Sequence, residues 1–278
     1  MKVSNAGKIW LDYHQINSKK NTVRSYSFVL KRLCNEFGDY ELADLSVENI
    51  LDFMNRLTEG RKPQTKRGRF TSLLAFFNFV KNNLDPDFSN PCDAPMLSKL
   101  FRIKIKPQYD ILEKEIVDEI IFRTVHPRNR LMLELMARGA MRIGEVLKIV
   151  PNDVSERKIL LRDPKSGREF EMVFIPQKVA DRLREYIENQ KIGLQERIFP
   201  ICYEAARSMV EKAGKLVGIH LRPHDLRRHA ATFASRSGVP LEIVSKIILR
   251  HSNLSTTQIY LGRISDTEAL KWIETIYS

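Results

Sequence analysis

The chain has 278 residues, 43% of them hydrophobic, with 46 Lys and Arg against 34 Asp and Glu, a formal charge of +12. That hydrophobic share excludes wholesale disorder, and no apolar run nears the ~20 residues of a membrane span. The length fits two domains, and the positive excess points to nucleic acid or another anionic surface.

No apolar signal segment follows Met1. Three scattered cysteines, Cys34, Cys92 and Cys202, speak against a disulfide framework or zinc knuckle and for a reducing cytosol. The first ninety residues read as helices. Between Asn21 and Phe37, the residues Val23, Tyr26, Leu30, Leu33 and Phe37 recur in steps of three and four, the spacing of one helix face. Leu45 to Leu57 repeats the pattern through Ile50, Phe53 and Met54, with Ser46-x-x-Asn49 as a start signal. Arg61 to Arg69 then reads as a basic loop whose cations include Lys62, Lys66, Arg67 and Arg69. Such a run is either a solvated face or a set of phosphate contacts at the start of the next helix. Phe70 to Val80 is apolar nearly all round, which predicts a helix packed between others.

Pro86, Pro91 and Pro95 interrupt the next stretch, and prolines disfavour helix at themselves and one residue earlier. The expected division is therefore a helical domain over 1–90, a linker over 91–109 and a second domain over 110–278. Arg102, Lys104 and Lys106 alternate with apolar residues in the linker, spaced either to follow a phosphate backbone or to solvate an extended segment.

The second domain reads as helices at Glu113–Phe122, Arg128–Ala140, Arg142–Ile149, Gln177–Asn189 and Glu204–Val217. Lys158–Arg162 and Phe170–Ile175 are β-type runs around Asp163-Pro-Lys-Ser-Gly167, a turn composition, which predicts a hairpin with Lys165 at or near its tip. In the tail, Ser265-Asp-Thr-Glu268 has the form of a capping box, and Leu270, Ile273, Ile276 and Tyr277 follow at helical spacing. The fold class is thus mainly α with a small β-hairpin in the second domain.

The chemistry concentrates in Arg222 to Gly262, which holds His224 and Arg227 three residues apart, then His251, then Tyr260. Upstream stand Gly139-Ala-Met-Arg142-Ile-Gly-Glu145 and Lys165. Singly, a tyrosine packs, a histidine is a satisfied surface or core group and an arginine is solvated. Together they form no metal-ligand cluster and no acidic pair, but they do supply what phosphodiester cleavage without metal or cofactor needs. Guanidinium forks match phosphate oxygens and stay charged at any working pH, so they neutralise charge building in the transition state. A tyrosine with pKa ≈ 10 needs help to lose its proton, for which a histidine is suited, and a lysine is able to protonate a departing oxygen.

These motifs resemble the tyrosine recombinase (lambda integrase-like) family, and the bacterial and archaeal Xer recombinases are similar in size and layout. The family's G-x-R-(I/V)-x-E box is matched by Arg142-Ile-Gly-Glu145, with Gly139 one position further away and Ala140 where a glycine is usual. Its H-x-L-R box is matched by His224-Asp-Leu-Arg227. Its L-G-H-S-x-x-x-T-T-x-x-Y box is matched from Leu249 to Tyr260, with Arg250 in place of the glycine.

The resemblance implies a two-domain, C-shaped clamp on duplex DNA that cleaves and rejoins a specific site through a 3′-phosphotyrosine. It implies Tyr260 as nucleophile, Arg142 and Arg227 as the phosphate clamp, and Lys165 as the proton donor to the leaving 5′ oxygen. It also implies His224 as the proton acceptor, His251 as a phosphate hydrogen-bond donor and Glu145 as the group that orients an arginine. Arg228 and Arg250 join the basic loop and linker cations as expected DNA contacts. The resemblance further implies a cytoplasmic, nucleoid-associated protein. It would be a monomer or weak dimer without DNA and a homotetramer on two sites through exchange of the C-terminal helix. Its role would be dimer resolution of chromosomes or plasmids, or mobile-element integration. A type IB topoisomerase and a non-catalytic DNA-binding protein on the same fold are the alternatives.

Overall fold

Proline placement decides how the first unit is built. The computed structural model describes residues 1–103, 111–162, 169–251, 253–258 and 273–274, and the chain divides into units of residues 1–107 and 108–278. The first unit holds α1 (Val3–Asn17), α2 (Lys20–Phe37), α3 (Val47–Thr58), α4 (Pro63–Asn83) and α5 (Pro95–Leu100), with short 3₁₀ turns at Leu42–Asp44 and Pro91–Asp93. The segment expected as a linker begins as part of this unit: Pro91, Cys92, Leu97 and Phe101 are buried in it. Pro91 and Pro95 each stand at the start of a helical turn, where the missing N–H is not needed, so here proline starts structure instead of ending it. The same holds for the basic stretch. Pro63 opens α4, and Lys66, Arg67 and Arg69 ride on its first two turns, not on a loop.

Trp10 anchors the core of this unit, stacked on Tyr26 at 4.5 Å and tilted against Phe76 at 5.3 Å. Val3, Ala6 and Trp10 give α1 its buried stripe. Leu30 and Leu33 of α2, Ile50 and Met54 of α3, and Leu73 and Phe77 of α4 complete the interior. The start signal at Ser46 is realised as a reciprocal cap. The Asn49 backbone N–H donates to Ser46 Oγ at 3.2 Å, and the Ser46 N–H donates to Asn49 Oδ1 at 3.0 Å.

The second unit is built around α7. It opens with α6 (Lys114–Arg123), α7 (Pro127–Arg138) and α8 (Ile143–Val146), followed by strands β1 (Val154–Ser155), β2 (Lys158–Arg162) and β3 (Phe170–Phe174). Next come α9 (Gln177–Asn189), α10 (Tyr203–Lys215), α11 (Pro223–Arg236), α12 (Leu241–Ile243) running into a π turn at Val244–Ile248, and α13 (Leu254–Gln258). Residues Leu131 to Ala137 are all buried, including Glu134, which takes a two-pronged pair from Arg182 at 2.6 and 3.0 Å. The sheet is antiparallel in the order β1-β2-β3, and Leu161 faces Glu171 in its register. Ile159, Leu161 and Val173 turn into the core, and Glu171 shares the buried face of β3 with Val173.

The helix expected over Arg142–Ile149 is cut to Ile143–Val146. Its continuation is diverted because the Ile149 carbonyl accepts the Ile198 N–H at 3.1 Å, which binds the chain to a distant segment. A smaller apolar cluster of Ala140, Ala230, Ala231, Val244 and Leu249 joins the turn before α8 to α11 and the π turn. Among the described residues, no helix is long and apolar enough to cross a membrane.

Candidate functional site

The site in the second unit is organised by arginines at the ends of short elements. Arg142 stands just before α8, and Glu145 folds back on it: the Arg142 N–H donates to Glu145 Oε2 at 2.9 Å and its Nη1 donates to Oε1 at 2.5 Å. Glu145 is held below the usual carboxylate range; burial works to raise its pKa, and Arg250 followed by Arg142 overcomes that.

Arg227, on α11, is fully buried, and its two terminal nitrogens donate to the carbonyls of Ala140 and Leu249. One side chain therefore ties α11 both to the turn before Arg142 and to the turn before His251. Ala140 has a φ of 49°, the left-handed region that L residues seldom enter, and this turn presents its carbonyl to Arg227.

His251 is buried beside these cations. Its pKa is lowered to about 4, by burial first and then by Arg227, Arg142 and Arg250, so the ring is neutral at pH 7. Its Nδ1 lies 3.0 Å from Thr257 Oγ1, and Thr257 donates to Ser245 Oγ at 2.8 Å. His224 is exposed in the first turn of α11.

Two expected DNA contacts are turned inward. Arg250 is 4% exposed, with Nη2 donating to Glu145 Oε2 at 2.8 Å and Nε lying 3.4 Å from Glu171 Oε2. A buried carboxylate without a cation is costly, which draws this guanidinium inside. Arg228 is largely covered and paired with Asp225 at 2.6 Å. Lys165 and Tyr260 lie outside the described residues, as do Lys104, Lys106 and most of the tail.

In the first unit, Lys62 is exposed immediately before α4, and Lys66 and Arg67 are half-buried on it. Arg69 donates to the Leu57 carbonyl and lies 4.7 Å from the Phe28 ring centroid, while Arg32 lies 3.7 Å from the same ring. Burial, then Arg61 and Arg32, lower the Arg69 pKa, which marks a cluster of three arginines. Arg102 is exposed after α5.

Residues 112–265, more than half of the chain, match the phage integrase family, and residues 5–58 match the phage integrase N-terminal SAM-like domain. The chain belongs to the phage integrase family. Within it the chain is a tyrosine recombinase, an enzyme of site-specific DNA recombination. It is 23% identical over 265 residues to tyrosine recombinase XerA of Saccharolobus solfataricus, covering 87% of this chain and 88% of that one. It is 28% identical over 280 residues to a tyrosine recombinase of Thermosipho africanus, covering 94% and 95%. Among solved structures, the Tn1549 transposon integrase with a circular intermediate DNA has the same fold, with a TM-score of 0.76, 18% identity and 99% of each chain covered. A lambda integrase dimer bound to a core site superposes with a TM-score of 0.72 at 17% identity, over 93% of this chain and 97% of that one.

In this integrase-family chain, Glu145 joins Arg142 to Arg250, and the Ala140 carbonyl joins Arg250 to Arg227, while His251 stands beside them on Thr257 and Ser245, with Glu171 added next to Arg250. Glu171 had a legible signal: in Phe170–Phe174 it alternates in step with Val173, which puts a carboxylate on the buried face. Ser245 had none, because its bond with Thr257 depends on a turn between distant elements.

Proposed function

We propose that the chain cleaves duplex DNA at a specific site by attack of Tyr260 on the scissile phosphate, forming a 3′-phosphotyrosine and releasing a 5′ hydroxyl. In this reading Arg142 and Arg227 hold the phosphate oxygens, Arg227 with the N–H groups it does not give to the Ala140 and Leu249 carbonyls, and His224 receives the tyrosine proton. Lys165 protonates the 5′ oxygen as the P–O bond breaks, and His251 contacts a phosphate oxygen. Religation reverses these steps and needs no nucleotide, because the phosphotyrosine retains the bond energy. The observation that carries the reading is the double anchorage of Arg227 on the Ala140 and Leu249 carbonyls, which links the three motif segments.

Lys62, Lys66, Arg67 and Arg102 are proposed as backbone contacts to the recombination site. Assembly is proposed as a homotetramer on two DNA sites through exchange of the C-terminal helix, with a monomer or weak dimer in the absence of DNA, in the cytoplasm and associated with the nucleoid. Relatives named XerA and XerC support an Xer-like role, and the phage integrase match supports mobile-element integration as a second reading.

A nicked suicide duplex tests the chemistry. The wild type should form a covalent adduct that migrates as a slower band on a denaturing gel, whereas Tyr260→Phe should bind the same DNA and form none. Adduct formation by Tyr260→Phe would assign the nucleophile to another residue.

A further inference from the structure

We propose that Arg250 is a positioning residue that fastens the β2–β3 hairpin to Arg142 through a chain of alternating charges, buried at Arg250 and Glu171 and partly buried at Glu145 and Arg142. The inference rests on the proposed roles of Arg142 and of Lys165 between the two strands. The chain runs from Arg142 to Glu145 at 2.5 Å, from Glu145 to Arg250 at 2.8 Å and from Arg250 to Glu171 at 3.4 Å. It spans the start of α8, the turn before His251 and strand β3.

Three observations support it. Arg250 has a φ of 53°, a backbone conformation in which glycine is the unstrained residue, so an arginine here carries a local conformational penalty. Its guanidinium is also committed in several directions at once: Nη1 donates to the Ile248 carbonyl at 2.9 Å, and Nη2 donates to Glu145. Finally, Glu171 is 5% exposed on a strand face otherwise given to the core, and Arg250 is the cation paired with it among the described residues. Among the described residues no hydrogen bond reaches either Glu171 carboxylate oxygen, so Arg250 holds Glu171 by charge alone, and moving either element would strand a buried charge in a medium that solvates it poorly.

The consequence is geometric. Glu145 holds Arg142, and Glu171 belongs to the hairpin, so Arg250 sets the two at a fixed separation. A misplacement of about 1 Å at a reacting centre costs on the order of 100-fold in rate.

The test uses the full-length protein, a nicked suicide duplex and a half-site binding titration. Arg250→Gly should slow single-turnover adduct formation on the order of 100-fold while half-site affinity changes little. It should also shift the acid limb of the cleavage profile to higher pH, because Glu145 loses its strongest cation. Glu171→Gln, nearly isosteric and checked for a wild-type fold by its thermal melt, should slow cleavage by about 10-fold or more and add little on top of Arg250→Gly, since both cut one link. Wild-type cleavage by Glu171→Gln at every pH, or fully additive losses with an unmoved acid limb, would overturn the inference. A wild type that forms no adduct would sink the strand-cleavage reading and this inference with it. A wild type that cleaves and an Arg250→Gly that cleaves equally fast would sink this inference alone.

Discussion

His251 is held neutral at pH 7 in the folded chain. Its pKa of about 4 lies below the ordinary 6.5 because burial and three guanidiniums disfavour the imidazolium. The unfolded chain therefore binds a proton that the folded one refuses between pH 6.5 and about 4. The stability tied to the neutral ring is complete above pH 6.5 and is lost as pH falls towards 4. A phosphate held by Arg142 and Arg227, as proposed, would offset their charges, so the same ring should regain basicity on binding DNA. Half-site affinity should then tighten as pH falls from about 7 to about 5 more in the wild type than in His251→Gln, measured at fixed ionic strength, while urea midpoints move the opposite way. Parallel binding profiles for the two proteins would mean that His251 does not take up a proton with the phosphate. Backbone strain near this ring serves two ends: at Ala140 the left-handed turn aims a carbonyl, and at Arg250 it aims a side chain. The residue types of Arg142, Arg227 and His251 were visible in the sequence as motifs. Arg250 read as a DNA contact because nothing local in its sequence announces the two carboxylates, Glu145 and Glu171, that it meets inside.

At the scale of the element, α4 combines two roles along one helix. Its first turns carry Lys66, Arg67 and Arg69, and its later turns carry Phe70, Leu73, Phe76 and Phe77 into the core. Neutralising Lys62, Lys66 and Arg67 together should weaken binding to all DNA sequences and lower the log–log salt slope by up to about 0.9 for each phosphate no longer neutralised. Arg69→Gln should behave otherwise, because Arg69 also holds the Leu57 carbonyl and the Phe28 ring; it should lower the melting temperature as well. An unchanged salt slope in the triple variant would leave this end of α4 as a solvated face. Elements differ in the same way in how far their sequence announces them. Gln177–Asn189 was readable to the residue because its apolar face is periodic and uninterrupted. The Ser46 cap was readable because it is purely local. The short α8 and the folding of residues 91–101 were not, since each depends on a distant partner: Ile198 in one case and the first unit's core in the other.

For the whole molecule the open element is the tail. Its pattern of a capping box followed by Leu270, Ile273, Ile276 and Tyr277 describes an amphipathic helix too short to persist alone in water. Such a helix must bury its apolar side on its own unit or on another copy. Of the tail, Ile273 and Glu274 are described, and both are helical and exposed, Ile273 at 56%. The second unit meanwhile exposes apolar surface of its own. Phe174, Phe233 and Ile247 line a cavity of ≈ 630 Å³ and are each substantially exposed. In the proposed exchange, the apolar side of the tail on one copy would meet this partly apolar cavity on the next, a head-to-tail contact that closes into a ring when the rotation permits. Deleting Ser265–Ser278 should therefore leave the first half-site binding step intact, reduce cooperative filling of the second and impair strand exchange. Phe233→Asp, which alters the proposed receiving surface, should give the same loss of cooperativity with the tail present. Undiminished cooperativity in the truncated protein, read by gel-shift titration on a full site, would return the tail to a role in local packing.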